Sequence, residues 1–86
     1  MANRELLALS KLDEFAAWAA TQGFQREPTK GLYKVLRLRI PGQPPLIFYT
    51  RSTTLAGGKP QHATAQYDGA QLVRRWLRSR RFAEVN

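Results

Sequence analysis

The sequence lacks cysteine, and it has no apolar run of the length that a membrane span requires. Without cysteine the chain cannot form disulfides, thiolate metal ligands or a cysteine nucleophile, and a reducing compartment suits it. A transmembrane helix needs about 20 consecutive apolar residues. Glu5 interrupts the apolar N-terminal segment, and no cleavage pattern follows it, so no signal peptide is predicted. We therefore expect a cytoplasmic protein without a membrane partner.

Acidic residues are also scarce, at 6 Asp and Glu against 14 Lys and Arg, which gives a net charge of +8. The imbalance is concentrated in one part of the chain. Residues 1–29 hold three basic and four acidic residues, a net of −1, whereas residues 30–86 hold eleven basic and two acidic, a net of +9. A basic region of this kind predicts a nucleic acid or an acidic protein surface as partner.

The chain contains a single histidine, His62, and its carboxylates are scattered. These residues lack the spacing of a metal site, so neither a metal nor another cofactor is predicted. His62 could serve as a general base in RNA cleavage, but no acidic residue close in sequence supports that role. We favour a polar surface histidine, and we do not expect enzyme activity.

The length of 86 residues predicts one small domain over 1–86, with residues 1–9 as a short extension or helical turn. Apolar residues at helical spacing predict a helix over 10–22, and Gly23 is typical of a left-handed helix end. Residues 25–30 contain a proline and predict a loop. The apolar helix positions are Leu12, Phe15, Ala16 and Ala19.

The next part of the chain changes to a period of two, which indicates strands. Residues 32–40 form a predicted strand, followed by a proline-rich turn and a second strand over 46–50. The two strands make a hairpin over 32–51. Weak alternation over 61–67 predicts a third strand.

The last predicted helix covers residues 68–82, with Asp68 as its N-cap. Its apolar residues fall on one arc around Trp76, while four arginines fall on the opposite arc. Arg80 lies within the apolar arc, so we expect the helix to end near it. The four arginines are Arg74, Arg75, Arg78 and Arg81.

These elements predict an α+β fold with the order α-β-β-β-α. Two amphipathic helices need a common apolar surface, and one face of a three-stranded antiparallel sheet supplies it. Both helices should therefore pack on one face of that sheet. The other face, with Tyr33, Arg37 and Arg39, should be open to solvent or to a partner.

The predicted order is similar to that of double-stranded RNA-binding domains and resembles the small HicA-type mRNA interferase toxins over most of residues 10–82. Gly23 and Phe24, ahead of a basic first strand, carry the likeness to HicA-type chains. Those chains have Gly-Ser-His at the first strand, where this chain has KGLY at 30–33, so no catalytic residue transfers. Double-stranded RNA-binding domains usually begin the last helix with Lys-Lys-x-Ala-Lys, whereas residues 69–75 read GAQLVRR.

We predict a small nucleic-acid-binding module whose Arg-rich last helix and basic sheet face contact the phosphate backbone. Arginine suits phosphate because its planar fork donates two parallel hydrogen bonds, and Tyr33 and Tyr49 are placed for stacking. A solvated, non-binding basic face is the ordinary alternative. The predicted site residues are Arg74, Arg75, Arg78, Arg81, Arg37, Arg39, Lys34, Arg51, Lys59 and Tyr33.

Two other functions remain open from the sequence. The first is a protein-interaction factor, for example a phage-type modulator of a host enzyme or defence complex, that docks its basic face on an acidic partner. The second is a HicA-like ribonuclease toxin. The choice between DNA and RNA, the strandedness of the partner and the oligomeric state also remain open.

Overall fold

The computed structural model describes residues 3–31, 33–50 and 61–85. Two α-helices and five strands make up this part of the chain, and all strand pairs are antiparallel in the order β1-β5-β4-β3-β2. A 3-10 turn at Leu9–Lys11 leads into the first helix. The elements are β1 Arg4–Ala8, α1 Leu12–Thr21, β2 Gln25–Glu27, β3 Lys34–Arg39, β4 Leu46–Thr50, β5 His62–Gln66 and α2 Asp68–Val85.

The sheet has five strands, so the expectation of three was wrong. The three predicted strands are confirmed as β3, β4 and β5, and the two additional strands lie at the edges. β1 was predicted as a helical turn, because its leucines occupy adjacent positions and point to opposite faces. β2 was predicted as part of a loop over 25–30 because that segment contains Pro28, and its three residues, QRE, have no apolar alternation that would indicate a strand. Long-range pairing with β5 and β3 forms these edges, and local sequence does not encode it.

The end of α1 follows the prediction closely. Gly23 has a φ of +95°, in the left-handed region. The Gly23 N–H donates to the Ala20 carbonyl at 3.2 Å, and the Phe24 N–H donates to the Ala19 carbonyl at 3.1 Å. These two bonds form a Schellman motif, which satisfies carbonyls that the helix itself leaves without partners.

Helix α2 continues past Arg80 to Val85, so the expectation that it would end near Arg80 was wrong. The guanidinium carbon of Arg80 lies 4.9 Å from the Trp76 ring centre, and Arg80 Nη1 lies 3.6 Å from Glu14 Oε2. The ring and the carboxylate stabilise a cation on the core side of the helix. Asp68 lies in the first turn, not before it, and its charge there complements the helix dipole.

The core lies between one face of the sheet and both helices. Phe15 of α1 packs edge-on against Phe48 of β4 and Trp76 of α2, with ring centres 5.4 Å apart in each pair. Helix α2 approaches the sheet where the side chains are small. Ala63 and Ala65 of β5 are fully buried, and a Cβ at Gly69 would lie 3.6 Å from the Ala65 Cβ. Both helices therefore cover the same face, and the opposite face is left to solvent.

Two glycine substitutions should change stability in opposite directions. Gly69→Ala adds a methyl group at ordinary contact distance and favours the helix, so the free energy of unfolding should rise by about 0.5 kcal/mol. Gly23→Ala forces an L side chain into the left-handed region, so it should cost about 1–2 kcal/mol. Urea unfolding of both variants beside the wild type measures the two values. A loss of stability in Gly69→Ala would mean that α2 lies closer to the sheet than described.

Candidate functional site

The face of the sheet opposite the helices carries a row of residues that crosses four strands. Lys34 pairs with Tyr49, Tyr49 with Thr64, and Thr64 with Leu6. Cross-strand partners project from the same face. Tyr49 is 38% exposed and Leu6 59%, although both are large and partly apolar side chains. The face that carries this row is called the open face.

Cations lie along one side of this row, because Arg4 pairs with Gln66 and Arg37 pairs with Ile47, and both of these partners are two positions from a member of the row. Arg4 is exposed on the open face of the edge strand β1, and Arg37 and Arg39 lie on the same face of β3. Tyr33, 47% exposed, precedes β3 next to Lys34. The open face therefore has an aromatic and aliphatic centre with basic residues along one border.

Glu27 of β2 holds the two β3 arginines together. Its Oε1 lies 2.9 Å from Arg37 Nε and 3.2 Å from Arg39 Nε. The Arg37 contact is a hydrogen bond, whereas the buried Arg39 Nε has no aligned acceptor, so charge attraction alone holds Arg39 there. One carboxylate between two guanidinium groups leaves a net positive charge at this border.

On α2, Arg74 is engaged with strand β1. Its Nε donates to Glu5 Oε2 at 3.0 Å, and its Nη2 donates to the Arg4 carbonyl at 3.3 Å. The Asn3 carbonyl accepts from the Tyr67 N–H and therefore points towards β5. Backbone groups of adjacent strand residues point in opposite directions, so the Arg4 carbonyl faces away from β5. Arg74 thus joins the helix to the sheet and occupies part of the free edge of β1, a common way to block unwanted strand pairing.

Arg75 is engaged on the other side of α2. Its guanidinium carbon lies 6.0 Å from the Trp18 ring centre, and its Nη2 donates to Gln22 Oε1 at 3.2 Å. Arg78 and Arg81 are exposed, and within the described ranges neither has an ion-pair partner. Arg78 and Arg81 are called the helix surface below.

The structure divides the predicted site into two surfaces. Helix α2 covers one face of the sheet, so the helix surface and the open face point in opposite directions. Lys34, Arg37 and Arg39 come together on the open face. Tyr33 precedes Lys34, and its carbonyl accepts from the N–H of Thr50, a residue of the face that the helices cover, so alternation directs the Tyr33 side chain away from the open face. Arg51 and Lys59 lie outside the described residues.

His62, the first residue of β5, is exposed on the open face opposite Ala8. No carboxylate within ion-pair distance of it is found in residues 3–31, 33–50 and 61–85. The same residues contain no group of three or more His, Asp or Glu that could hold a metal ion. Neither of the two described helices is long and apolar enough to cross a membrane.

A cleft of about 480 Å³ opens at one end of the sheet, and sequence reasoning missed it. The turn between β3 and β4 forms one wall, and the end of β5 with the first turns of α2 forms the other. Tyr49 lines this cleft and also belongs to the open face. The alternation of β4 predicted an ordinary strand, and no local signal indicates that the strand separates from its neighbour.

Comparison with models of protein families, with curated proteins and with solved structures gave no match.

The Arg74–Glu5 pair should contribute to stability. Both side chains are about two-thirds buried, so a double-mutant cycle with Arg74→Gln and Glu5→Gln should give a coupling energy of about 0.5–1 kcal/mol. The Arg26–Asp13 pair is a matched control, because its atoms are as close, at 2.9 Å, while the Asp13 side chain is 91% exposed. Its coupling energy should be near zero. Equal coupling in both cycles would contradict a structural role for Arg74.

Proposed function

We propose that the protein binds single-stranded nucleic acid on the open face. The row of Lys34, Tyr49, Thr64 and Leu6 carries the proposal. An aromatic ring exposed on a sheet stacks on any base, because every base has a π-face, and single strands leave those faces accessible. A duplex hides its base faces within its own stack, so it would gain little from this ring.

The border cations supply the electrostatic part of the interaction. Lys34 belongs to the row, Arg4 and the Arg37–Arg39 pair lie beside it, and Glu27 offsets one positive charge. About three phosphates would be neutralised, so the logarithm of the binding constant should fall with the logarithm of salt concentration with a slope of about −2. The net charge of +8 further favours association with a polyanion.

The helix surface is the second place for backbone contacts. Arg78 and Arg81 are exposed and free to meet phosphates, whereas Arg74 and Arg75 already have partners within the protein. Two exposed arginines support non-specific contact with any polyanion. We therefore assign the main interaction to the open face and a weaker one, insensitive to polymer type, to the helix surface.

A protein partner is the alternative function, and the part of the β1 edge that Arg74 does not occupy favours it. Leu6 is 59% exposed beside the outward N–H and C=O groups of its own strand. An extended acidic segment of another protein could pair with that edge and cover Leu6. The described surroundings of His62 offer no second catalytic group, so they give no support to ribonuclease activity.

Single-stranded binding should depend on Tyr49 and not on the helix surface. Tyr49→Thr keeps a strand-forming residue but removes the ring, so affinity for a single-stranded oligonucleotide should fall about tenfold. The Arg78→Gln/Arg81→Gln variant removes two charges from the opposite side and should weaken the same binding less than threefold, by a rough estimate for screened charges. Fluorescence anisotropy with single-stranded RNA, single-stranded DNA and duplex DNA at two salt concentrations measures both variants.

The reverse pattern would contradict the proposal. If the helix variant loses most of the affinity and Tyr49→Thr loses none, binding lies on α2 and is an effect of charge. If all polymers bind equally and only at low salt, and a Leu6→Thr variant abolishes capture of an acidic protein, the alternative function is correct.

A further inference from the structure

The cleft exists because strands β4 and β5 separate. Their ladder contains Tyr49↔Thr64 and Thr50↔Ala63 and goes no further, although the register would place Ile47 opposite Gln66. The Thr50 N–H donates to the Tyr33 carbonyl, so the backbone groups of Thr50 point towards β3. Adjacent residues of a strand point their backbone groups in opposite directions, so those of Tyr49 and Ile47 point towards β5. Ile47 and Gln66 both line the cleft.

The backbone groups of Ile47 and Gln66 therefore face the cleft without a strand pair between them. Ile47 is half-buried and Gln66 is exposed, and backbone groups without a strand partner can hydrogen-bond to the polar edge of a ligand. The neighbouring walls are apolar at Pro44, Leu46 and Leu72, which suits a flat ring. A ligand that combines a flat apolar face with a polar edge meets both requirements.

Charged and amide groups are placed at different positions along the α2 side of the cleft. Asp68 lies at the start of the helix, Gln71 follows one turn later, and Arg75 lies at the far end of the lining. Seven residues separate Asp68 from Arg75, which corresponds to about 10 Å along the helix. The cleft thus offers an acceptor at one end and a cation at the other.

We propose that this cleft binds one nucleotide of the strand held on the open face, with its base inside and its phosphate at Arg75. The assignment rests on the proposed function, and Tyr49 makes the two sites continuous because it lines both. The volume of about 480 Å³ lies within the range of small-ligand sites. The Asp68 carboxylate is a pure acceptor, so it selects bases that present an amino group.

This selection distinguishes cytosine from uracil. The two pyrimidines have nearly the same size, but cytosine has an amino group where uracil has a carbonyl oxygen. Asp68 accepts a hydrogen bond from that amino group and repels the carbonyl. A charge-assisted hydrogen bond should favour cytidine monophosphate over uridine monophosphate about tenfold.

The test is an NMR titration of isotope-labelled protein with each of the two mononucleotides. Cytidine monophosphate should bind more tightly and should shift the amides of Ile47, Gln66 and Gln71. Asp68→Asn should reduce the preference to about onefold, since an amide both donates and accepts. Gln71→Ala retains helix propensity and should weaken binding of both nucleotides about threefold, by analogy with the loss of one neutral hydrogen bond. Lys30→Gln, which removes an exposed positive charge outside the cleft and outside both surfaces, is the matched control and should change neither affinity.

A parallel titration with an eight-residue uridine oligonucleotide and its variant with one central cytidine separates this inference from the proposed function. Tighter binding of the cytidine variant, abolished by Asp68→Asn, supports both. If both oligonucleotides bind through Tyr49 with equal affinity and the mononucleotides do not shift the cleft amides, the inference is wrong and the proposed function stands. If neither oligonucleotide binds while cytidine monophosphate still binds with the Asp68-dependent preference, the proposed function is wrong and the cleft is a mononucleotide site.

Discussion

The contact of Phe15 with Phe48 and Trp76 joins both helices to the same face of the sheet, with each pair of ring centres 5.4 Å apart. A chain of 86 residues has little apolar surface, so one core is all that it can build. Both helices are used to cover that core. The opposite face of the sheet is consequently free to carry exposed aromatic and aliphatic side chains, and this one-sided packing is the origin of the open face.

The shortage of acidic residues determines which cations remain available to a partner. Four of the carboxylates each connect two elements: Glu5 joins β1 to α2, Asp13 joins α1 to β2, Glu14 joins the two helices, and Glu27 joins β2 to β3. The cations in these ion pairs lie where two elements of the fold contact each other. Among the described cations without a carboxylate partner, Arg4 and Lys34 lie on the open face, and Arg78 and Arg81 lie on the outside of α2, where a polyanion can reach them.

Sequence reasoning succeeded where local patterns determine structure and did not where long-range contacts do. The alternation of β3, the left-handed end of α1 at Gly23 and the apolar arc around Trp76 were predicted correctly. The edge strands were missed because β1 has no period of two and β2 has no apolar residue.

The effect of Arg80 on the helix was misjudged, because a helical projection does not show that Glu14 and the Trp76 ring contact its guanidinium group. The arginines of α2 and of β3 were expected to contact the same ligand. Helix α2 packs on one face of the sheet, whereas Arg37 and Arg39 of β3 lie on the other face. The cleft depends on where the pairing of two strands stops, which no local pattern indicates.

The central claim, that single-stranded nucleic acid lies across the open face, is tested most directly by mapping amide chemical shifts of the labelled wild-type protein. A short single-stranded oligonucleotide is added until binding saturates. The account predicts that the largest changes occur at Leu6, Lys34, Tyr49 and Thr64, across four strands that only this face unites. Changes confined to Arg78, Arg81 and their neighbours on α2 would contradict it, since that result would place the interaction on the other side of the sheet.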